Sequence, residues 1–587
     1  MDINQSWFEM LDLRYKNLDN SVWIPLRSEK NIRNNIESGF YGHQEHFFGS
    51  GSLMIAKKDK AYSKQLDWMD IGIMPIHNSH YREGQYFPSD IFIGENNNFK
   101  GTNLILNQSF DNNYDNNEWH LHQDLVISLG LKREGDIWVC PQEGYVEVAK
   151  LERDKEGNPV VMLIKNQFLK DYLSARDSGL YVSSYYSRVY IYDKSDIVSW
   201  NEKSKEEKKG KDLWEYGIME IHEGGFPFGQ KIAISHARRI DIFENEDIPD
   251  ISKFPTNDNV KSEFYEKEFE GKKLFRIMAE LWKYDWINPA KKSSIVLGQK
   301  DKTKIYFTID AEGRKESGYN LRKGGKWLWF KPDLVSNLLT KRGSNLSWYT
   351  QDTGSIACGP NGAIHFGINE LGLITVYAKD IGYLPIWQQQ IWAGFNISPE
   401  GGISKELHDS QVKAEPASTL APEDFFSSVI NDLNNEFTKQ LGFKLFREHQ
   451  SIKEILPSIN RFRATDNKGL FSLAKDIARV IIDDINTEEI QKIAIPPKGT
   501  KWGSIKSLEN LLSIKIKEEY ARKILSPIVG VYELRHGDAH LPSSNIIESF
   551  KLVGVDNNSP HVIQGFQMLY ACVDHLHMIL AVIKKWK

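Results

Sequence analysis

The chain has 587 residues, 40% hydrophobic, 26% charged and 12% aromatic, with a formal net charge of −5. That length exceeds one compact core, so roughly two to four domains are expected. The ordinary composition excludes a disordered chain, and the mild acidity excludes a protein that coats nucleic acid with its whole surface.

Cys140, Cys358 and Cys572 lie too far apart for a disulfide framework or a cysteine-rich zinc site, which fits a reducing cytoplasm. The N-terminus lacks the basic start and apolar run of a signal peptide, and no uninterrupted apolar stretch elsewhere approaches the roughly 18 residues of a membrane span. A cytoplasmic chain that spans no membrane is expected.

Residues 1–60 mix apolar runs with polar turns and are assigned to no element. Gly49-Ser50-Gly51 lacks the lysine of a phosphate loop and the third glycine of a dinucleotide fingerprint, so a hairpin turn is expected there. The asparagine-rich stretch 95–117 reads as a loop around one short strand. Leu121, Leu125, Val126 and Leu129 then share a helical face that ends before Gly135. His120 and His122 stand at its start, but residues two apart on a helix diverge by about 200°, and no nearby cysteine or carboxylate pair completes a tetrahedral set. No metal is assigned to them.

From Ile137 the pattern gives strands over 137–141, 145–153 and 159–165, a helix over 166–179 and a strand over 180–192. Val161–Leu180 aligns with Trp327–Leu346 at a constant offset, matching Lys165 with Lys331, Leu173 with Leu339, Arg176 with Arg342, Ser178 with Ser344 and Leu180 with Leu346. Residues 61–250 and 251–404 are therefore expected to be two related α+β units. Residues 201–212, dense in Lys and Glu, read as a charged surface loop. Asp250, Glu270 and Lys272 have the form of a magnesium nuclease motif, with two carboxylates for the ion and a lysine to steady the attacking water. Coincidence in an acid-rich segment is the plainer explanation. Tyr383, Trp387, Trp392 and Phe395 crowd around two prolines, and a core that closes a domain outweighs a base-stacking surface.

Residues 405–421 are polar, without periodicity, and read as a linker. Beyond them strand signals almost vanish. Helices are expected from Pro422 to a stop at Gly442, then over 451–457, 468–485, 487–494 and 504–536, and over a long apolar stretch from His561. Residues 421–587 carry 22 Lys and Arg against 20 Asp and Glu. Any RNA contact must then be local, and the candidates are Arg461, Arg463 and Lys468, then Lys498, Lys501 and Lys506, then Lys584, Lys585 and Lys587. Solvated helix ends are the plainer reading of each. The fold class is thus multidomain, an N-terminal α+β region followed by an all-α domain at 422–587.

The stretch Glu533-Leu534-Arg535-His536-Gly537-Asp538-Ala539-His540-Leu541-Pro542 is unusually polar for a helical core. An arginine can hold a phosphate through two hydrogen bonds, and a histidine moves protons near neutral pH. On an unbroken helix residues i and i+5 point about 140° apart, so a break at Gly537 and Pro542 is what would let Arg535 and His540 face one phosphate.

An arginine, a polar residue, three variable residues and a histidine, set late in a small all-helical domain, resemble the signature of HEPN-domain ribonucleases. The resemblance covers about the last 165 residues, and it implies a metal-independent endoribonuclease that needs no cofactor. His540 would be the general base or acid, Arg535 the phosphate ligand, and His536 a substrate-orienting or proton-sharing group. Asp538 would set a histidine tautomer or cap the next helix, and Glu533 would pair with Arg535. The resemblance further implies a homodimer through the helical domain, RNA (tRNA among the candidates) as substrate, and a toxin or abortive-infection role in which the front half senses a phage-derived trigger and restrains the back half. The competing classes are a non-catalytic dimerisation or binding protein with a vestigial site, and a magnesium nuclease centred on Asp250, Glu270 and Lys272.

Overall fold

A computed structural model describes residues 3–73, 80–82, 84–94, 98–110, 117–225, 231–239, 260–268, 271–299, 304–360, 362–447, 454–536 and 543–586. They cluster into two compact units, Met1–Cys140 with Val146–Asp301, and Pro141–Tyr145 with Lys302–Lys587.

The first unit is built on one large antiparallel sheet. In chain order its main strands are β1 (Trp23–Arg33), β2 (Gln44–Ala56), β3 (Lys132–Glu134), β4 (Ile137–Cys140), β5 (Val146–Arg153), β6 (Pro159–Lys165), β7 (Ser178–Tyr192), β8 (Ser204–Lys209), β9 (Asp212–His222) and β10 (Lys273–Ile287). Their spatial order is β8-β9-β10-β7-β2-β1-β6-β5-β4-β3. Helix α1 (Asn166–Ala175) buries Phe168, Leu169, Tyr172 and Leu173 in the core with Leu151, Ile164 and Leu180.

Three expectations change here. The Gly49-Ser50-Gly51 segment is no hairpin turn but the middle of β2. Its glycines are there for close approach, since a Cβ on Gly49 would meet the Trp68 ring at 2.5 Å and one on Gly51 the Ile71 carbonyl oxygen at 1.7 Å. The charged residues 201–212 are no loop either. They supply edge strand β8 and the turn into β9, with Gly210 at φ +66°, and the Lys and Glu side chains along it suit an edge that must not pair with another chain. Finally, the first unit does not close at 250. Ile277, Ala279 and Leu281 alternate inward along β10, which pairs with both β7 and β9, so the chain after 250 returns to the first sheet.

The second unit opens on a smaller antiparallel sheet, β11 (Trp327–Phe330), β12 (Asn345–Trp348), β13 (Thr353–Ala357), β14 (Ile364–Ile368), β15 (Ile374–Tyr377) and β16 (Asn396–Ile397), in the order β12-β13-β14-β15-β11-β16. Helix α2 (Asp333–Leu339) joins β11 to β12. The two aligned segments therefore share a strand–helix–strand order. Their sheets are wired differently: two strands separate β6 from β7, and three separate β11 from β12. Of the aromatic cluster, Trp392 is buried edge-on to Phe330 at 5.0 Å, and Tyr383 stays exposed.

From Lys405 on, the second unit is mainly helical. Half of the expected linker is helix α3 (Lys405–Lys413), started by Ser404, whose hydroxyl accepts from the Leu407 N–H. It is followed by α4 (Pro422–Leu441), α5 (Asn467–Ala478), α6 (Thr487–Ile493), α7 (Ser504–Ser513), α8 (Glu518–Leu534), α9 (Ser543–Val553) and α10 (His561–Lys584). The stretch 504–536 is thus two helices with a turn between them. The apolar face resumes after the turn, so periodicity alone cannot see the break. One core unites Val429 and Leu433 of α4, Leu473 and Ile477 of α5, Leu525 and Val531 of α8, and Leu569 and Ile579 of α10. Among the described residues α10 is the one helix long and apolar enough to cross a membrane, and 44% of its most apolar window is buried inside this protein.

Candidate functional site

Helix α8 carries the polar stretch at its C-terminal end, and its course is set by Pro527. Proline cannot donate to the carbonyl four residues back, and the Ser526 hydroxyl donates to that Lys523 oxygen instead at 2.9 Å. His575 of α10 donates from Nδ1 to the neighbouring Ile524 carbonyl at 2.7 Å. The carbonyl that Pro527 frees therefore has a partner, and α8 runs on to Leu534, where the helix ends with Arg535 as its cap residue. The helix breakers Gly537 and Pro542 follow in the sequence.

Arg535 is held on three sides. Its Nη1 donates to Asp483 Oδ1 at 2.7 Å, its Nε donates to His536 Nε2 at 3.0 Å, and its guanidinium lies over the Tyr532 ring at 4.1 Å. Accepting at Nε2 places the His536 proton on Nδ1. The same imidazole stands edge-on to Tyr532, 6.0 Å between centroids at 81°. Tyr532 and Arg535 are three apart on one helix, the spacing at which helical side chains touch.

Asp483 comes from a different element. The last turn after α5, Arg479–Asp483, is a π-helix, a rare widening that is found often at functional sites. The segment around Leu445 pins this turn: Arg447 donates from its backbone N–H to the Asp484 carbonyl and from Nη2 to the Asp483 carbonyl, at 2.8 and 2.7 Å, and Asn486 N–H donates to the Leu445 carbonyl at 2.8 Å. Asp483 is thus fixed through its backbone while its carboxylate stays half exposed.

Of the site residues expected from the sequence, Arg535 and His536 come together. Glu533 sits one turn back and contributes its backbone carbonyl to the His536 N–H; the carboxylate that meets Arg535 is Asp483, where Glu533 was the expected partner. Asp538 and His540 lie outside the described residues. So do Asp250 and Glu270, while Lys272 approaches Asp193 at 3.6 Å. Among the described residues no group of three or more His, Cys, Asp and Glu could hold a metal ion. His120 meets Gln108, and His122 caps the short helix Gln123–Ser128 through Nδ1 and meets Asp90.

The basic clusters also sort themselves. Arg461 is no surface contact: it is fully buried, its guanidinium doubly bonded to Glu423 and sandwiched between the Trp348 and Phe566 rings. Arg463 faces Asp476 at 3.7 Å, and Lys506 faces Glu509 at 2.9 Å.

Sequence reasoning missed Tyr532, Asp483 and Arg447. Tyr532 was within reach from its helical spacing to Arg535. Asp483 lies 52 residues away on another helix, and no local pattern points to it.

Comparison of the chain with protein-family models, curated proteins and solved structures returns no match.

Proposed function

We propose that the helical part of the second unit is a metal-independent endoribonuclease of the HEPN type, with Arg535 and His540 at its centre. The observation that carries this reading is the setting of Arg535. Its side chain is 19% exposed, held by Asp483, His536 and Tyr532, and placed where the helix stops, five residues before His540.

In the reaction the ribose 2′-oxygen bonds to its own phosphorus while the bond from phosphorus to the 5′-oxygen breaks. One imidazole takes the 2′-hydroxyl proton, and another gives a proton to the leaving 5′-oxygen. Arg535 steadies the additional negative charge of the five-coordinate phosphorus. The products are a 2′,3′-cyclic phosphate and a 5′-hydroxyl. His540 supplies one proton transfer and a second copy of the chain, paired through the helical domain, supplies the other. The first unit and the small sheet hold cleavage at a basal rate and lift that restraint when they sense a trigger, as in an abortive-infection effector.

The test is incubation of the purified chain with tRNA and with total RNA, with and without EDTA, followed by mapping of the ends. Cleavage that survives EDTA and falls about 100-fold or more in Arg535→Ala and His540→Ala is expected. Cleavage abolished by EDTA, or untouched by both substitutions, contradicts the reading.

A further inference from the structure

The Arg535 guanidinium has five N–H bonds, and the contacts to Asp483 and His536 use only two of them, one on Nη1 and one on Nε. Among the described residues no further hydrogen-bond partner meets the two hydrogens of Nη2 or the second hydrogen of Nη1. A phosphate needs two parallel N–H groups, so the group is oriented without being used up. An arginine side chain on a helix end would otherwise sample many rotamers, and ordering it when substrate binds costs rotamer entropy.

The holder is itself anchored through its backbone. The Asp483 backbone is gripped by Arg447 and bounded by the bridge between Phe446 and Ile485, and the Tyr532 ring covers one face of the guanidinium. Two elements far apart in sequence thus fix the plane and rotation of one cation, and the contact uses one oxygen, Oδ1, of a carboxylate side chain that is half exposed.

We infer that Asp483 is a positioning residue of this site, acting through Arg535 to present the Nη edge to the scissile phosphate; the inference rests on the ribonuclease reading above. The alternative role of the same contact is competition, in which Asp483 occupies Arg535 in place of a phosphate. The two roles predict opposite signs. A positioning carboxylate lowers kcat when removed, and a competing one raises the affinity for RNA when removed.

The experiment is steady-state cleavage of an RNA oligonucleotide by the full chain and by its Asp483→Ala, Asp483→Glu, Arg535→Ala and Asp483→Ala/Arg535→Ala variants, with kcat and KM separated. The expected result is a kcat lowered about tenfold or more in Asp483→Ala with KM changed less than threefold. Asp483→Glu should restore part of it, and the double variant should be no slower than Arg535→Ala. An unchanged kcat, a lowered KM, or a double variant slower than Arg535→Ala overturns the inference while leaving the ribonuclease reading in place. Labelling of Arg535 by phenylglyoxal, read by mass spectrometry on the same proteins, should accelerate in Asp483→Ala, and an unchanged labelling rate also overturns the inference. A wild-type chain that cleaves no RNA overturns both.

Discussion

Arg461 and Glu423 form a doubly hydrogen-bonded ion pair with side chains 0% and 5% exposed, Nε to Oε1 and Nη2 to Oε2 at 2.8 Å each. Arg461 also donates from Nη1 to the Gln351 carbonyl at 2.8 Å, in the turn between β12 and β13. The helical part of the second unit is therefore bolted to its small sheet, and is not a domain hung on a free linker. Replacing Glu423 with alanine leaves a buried cation without its partner, a change that costs about 3–5 kcal/mol. Denaturant unfolding should register that loss, and the pair Glu423→Leu with Arg461→Met should recover most of it.

Gly530 places helix α8 against α9. A Cβ there would meet Val553 Cγ2 at 2.4 Å and the Ser549 carbonyl oxygen at 2.8 Å, and the second of these is backbone that cannot rotate away. Gly530→Ala should cost about 1–3 kcal/mol by thermal or chemical unfolding. Because α8 and α9 frame the chain from Arg535 to Pro542, the same variant should lose RNA cleavage at temperatures where it is still folded.

Asp171 of α1 anchors the turn at 293–296 in the first unit. Burial alone would raise its pKa, but the Ser293 hydroxyl and the backbone N–H groups of Ile295, Val296 and Ser294 together outweigh burial and hold it below the usual carboxylate value. A folded-state pKa lower than the unfolded one contributes stability above the unfolded value of about 3.9, and that contribution disappears as pH falls through the folded pKa. Asp171→Asn should therefore be less stable than wild type at neutral pH, with the gap closing in acid. Unfolding midpoints of the two proteins between neutral and strongly acid pH measure it.

Cys572 sits on α10 in the helical core, and burial pushes its thiol up to about 12. The thiolate is the reactive form, so this cysteine should resist iodoacetamide in the native protein and label only with global unfolding. Labelling followed by peptide mapping reads this directly; rapid native labelling of Cys572 would place it at a mobile surface.

What could be read from the sequence depended on whether the signal was local. The strands from 137 to 192 and helices such as Pro422–Leu441 follow from alternation, periodicity and caps within a dozen residues. The misreadings were set by distant partners. Gly49 and Gly51 look like a turn until Trp68 and Ile71 arrive on one face of the strand. The Lys and Glu of 204–209 look like a loop until β9 pairs with them. Arg461 looks like a surface cation until Glu423, Trp348 and Phe566 enclose it. At the candidate site, Arg535 and His536 were legible from residue type and spacing, whereas Asp483 reaches them only through the packing of α5 on α8.

The central claim is attack by a ribose 2′-hydroxyl on its own phosphodiester at Arg535 and His540. Its most direct test is an oligonucleotide cut by the wild-type chain and then resynthesised with a single 2′-deoxynucleotide immediately 5′ of the cut bond. The account predicts that cleavage at that bond vanishes while cuts at unaltered positions continue. Undiminished cleavage at the deoxy position would contradict it, because another nucleophile would then be doing the chemistry.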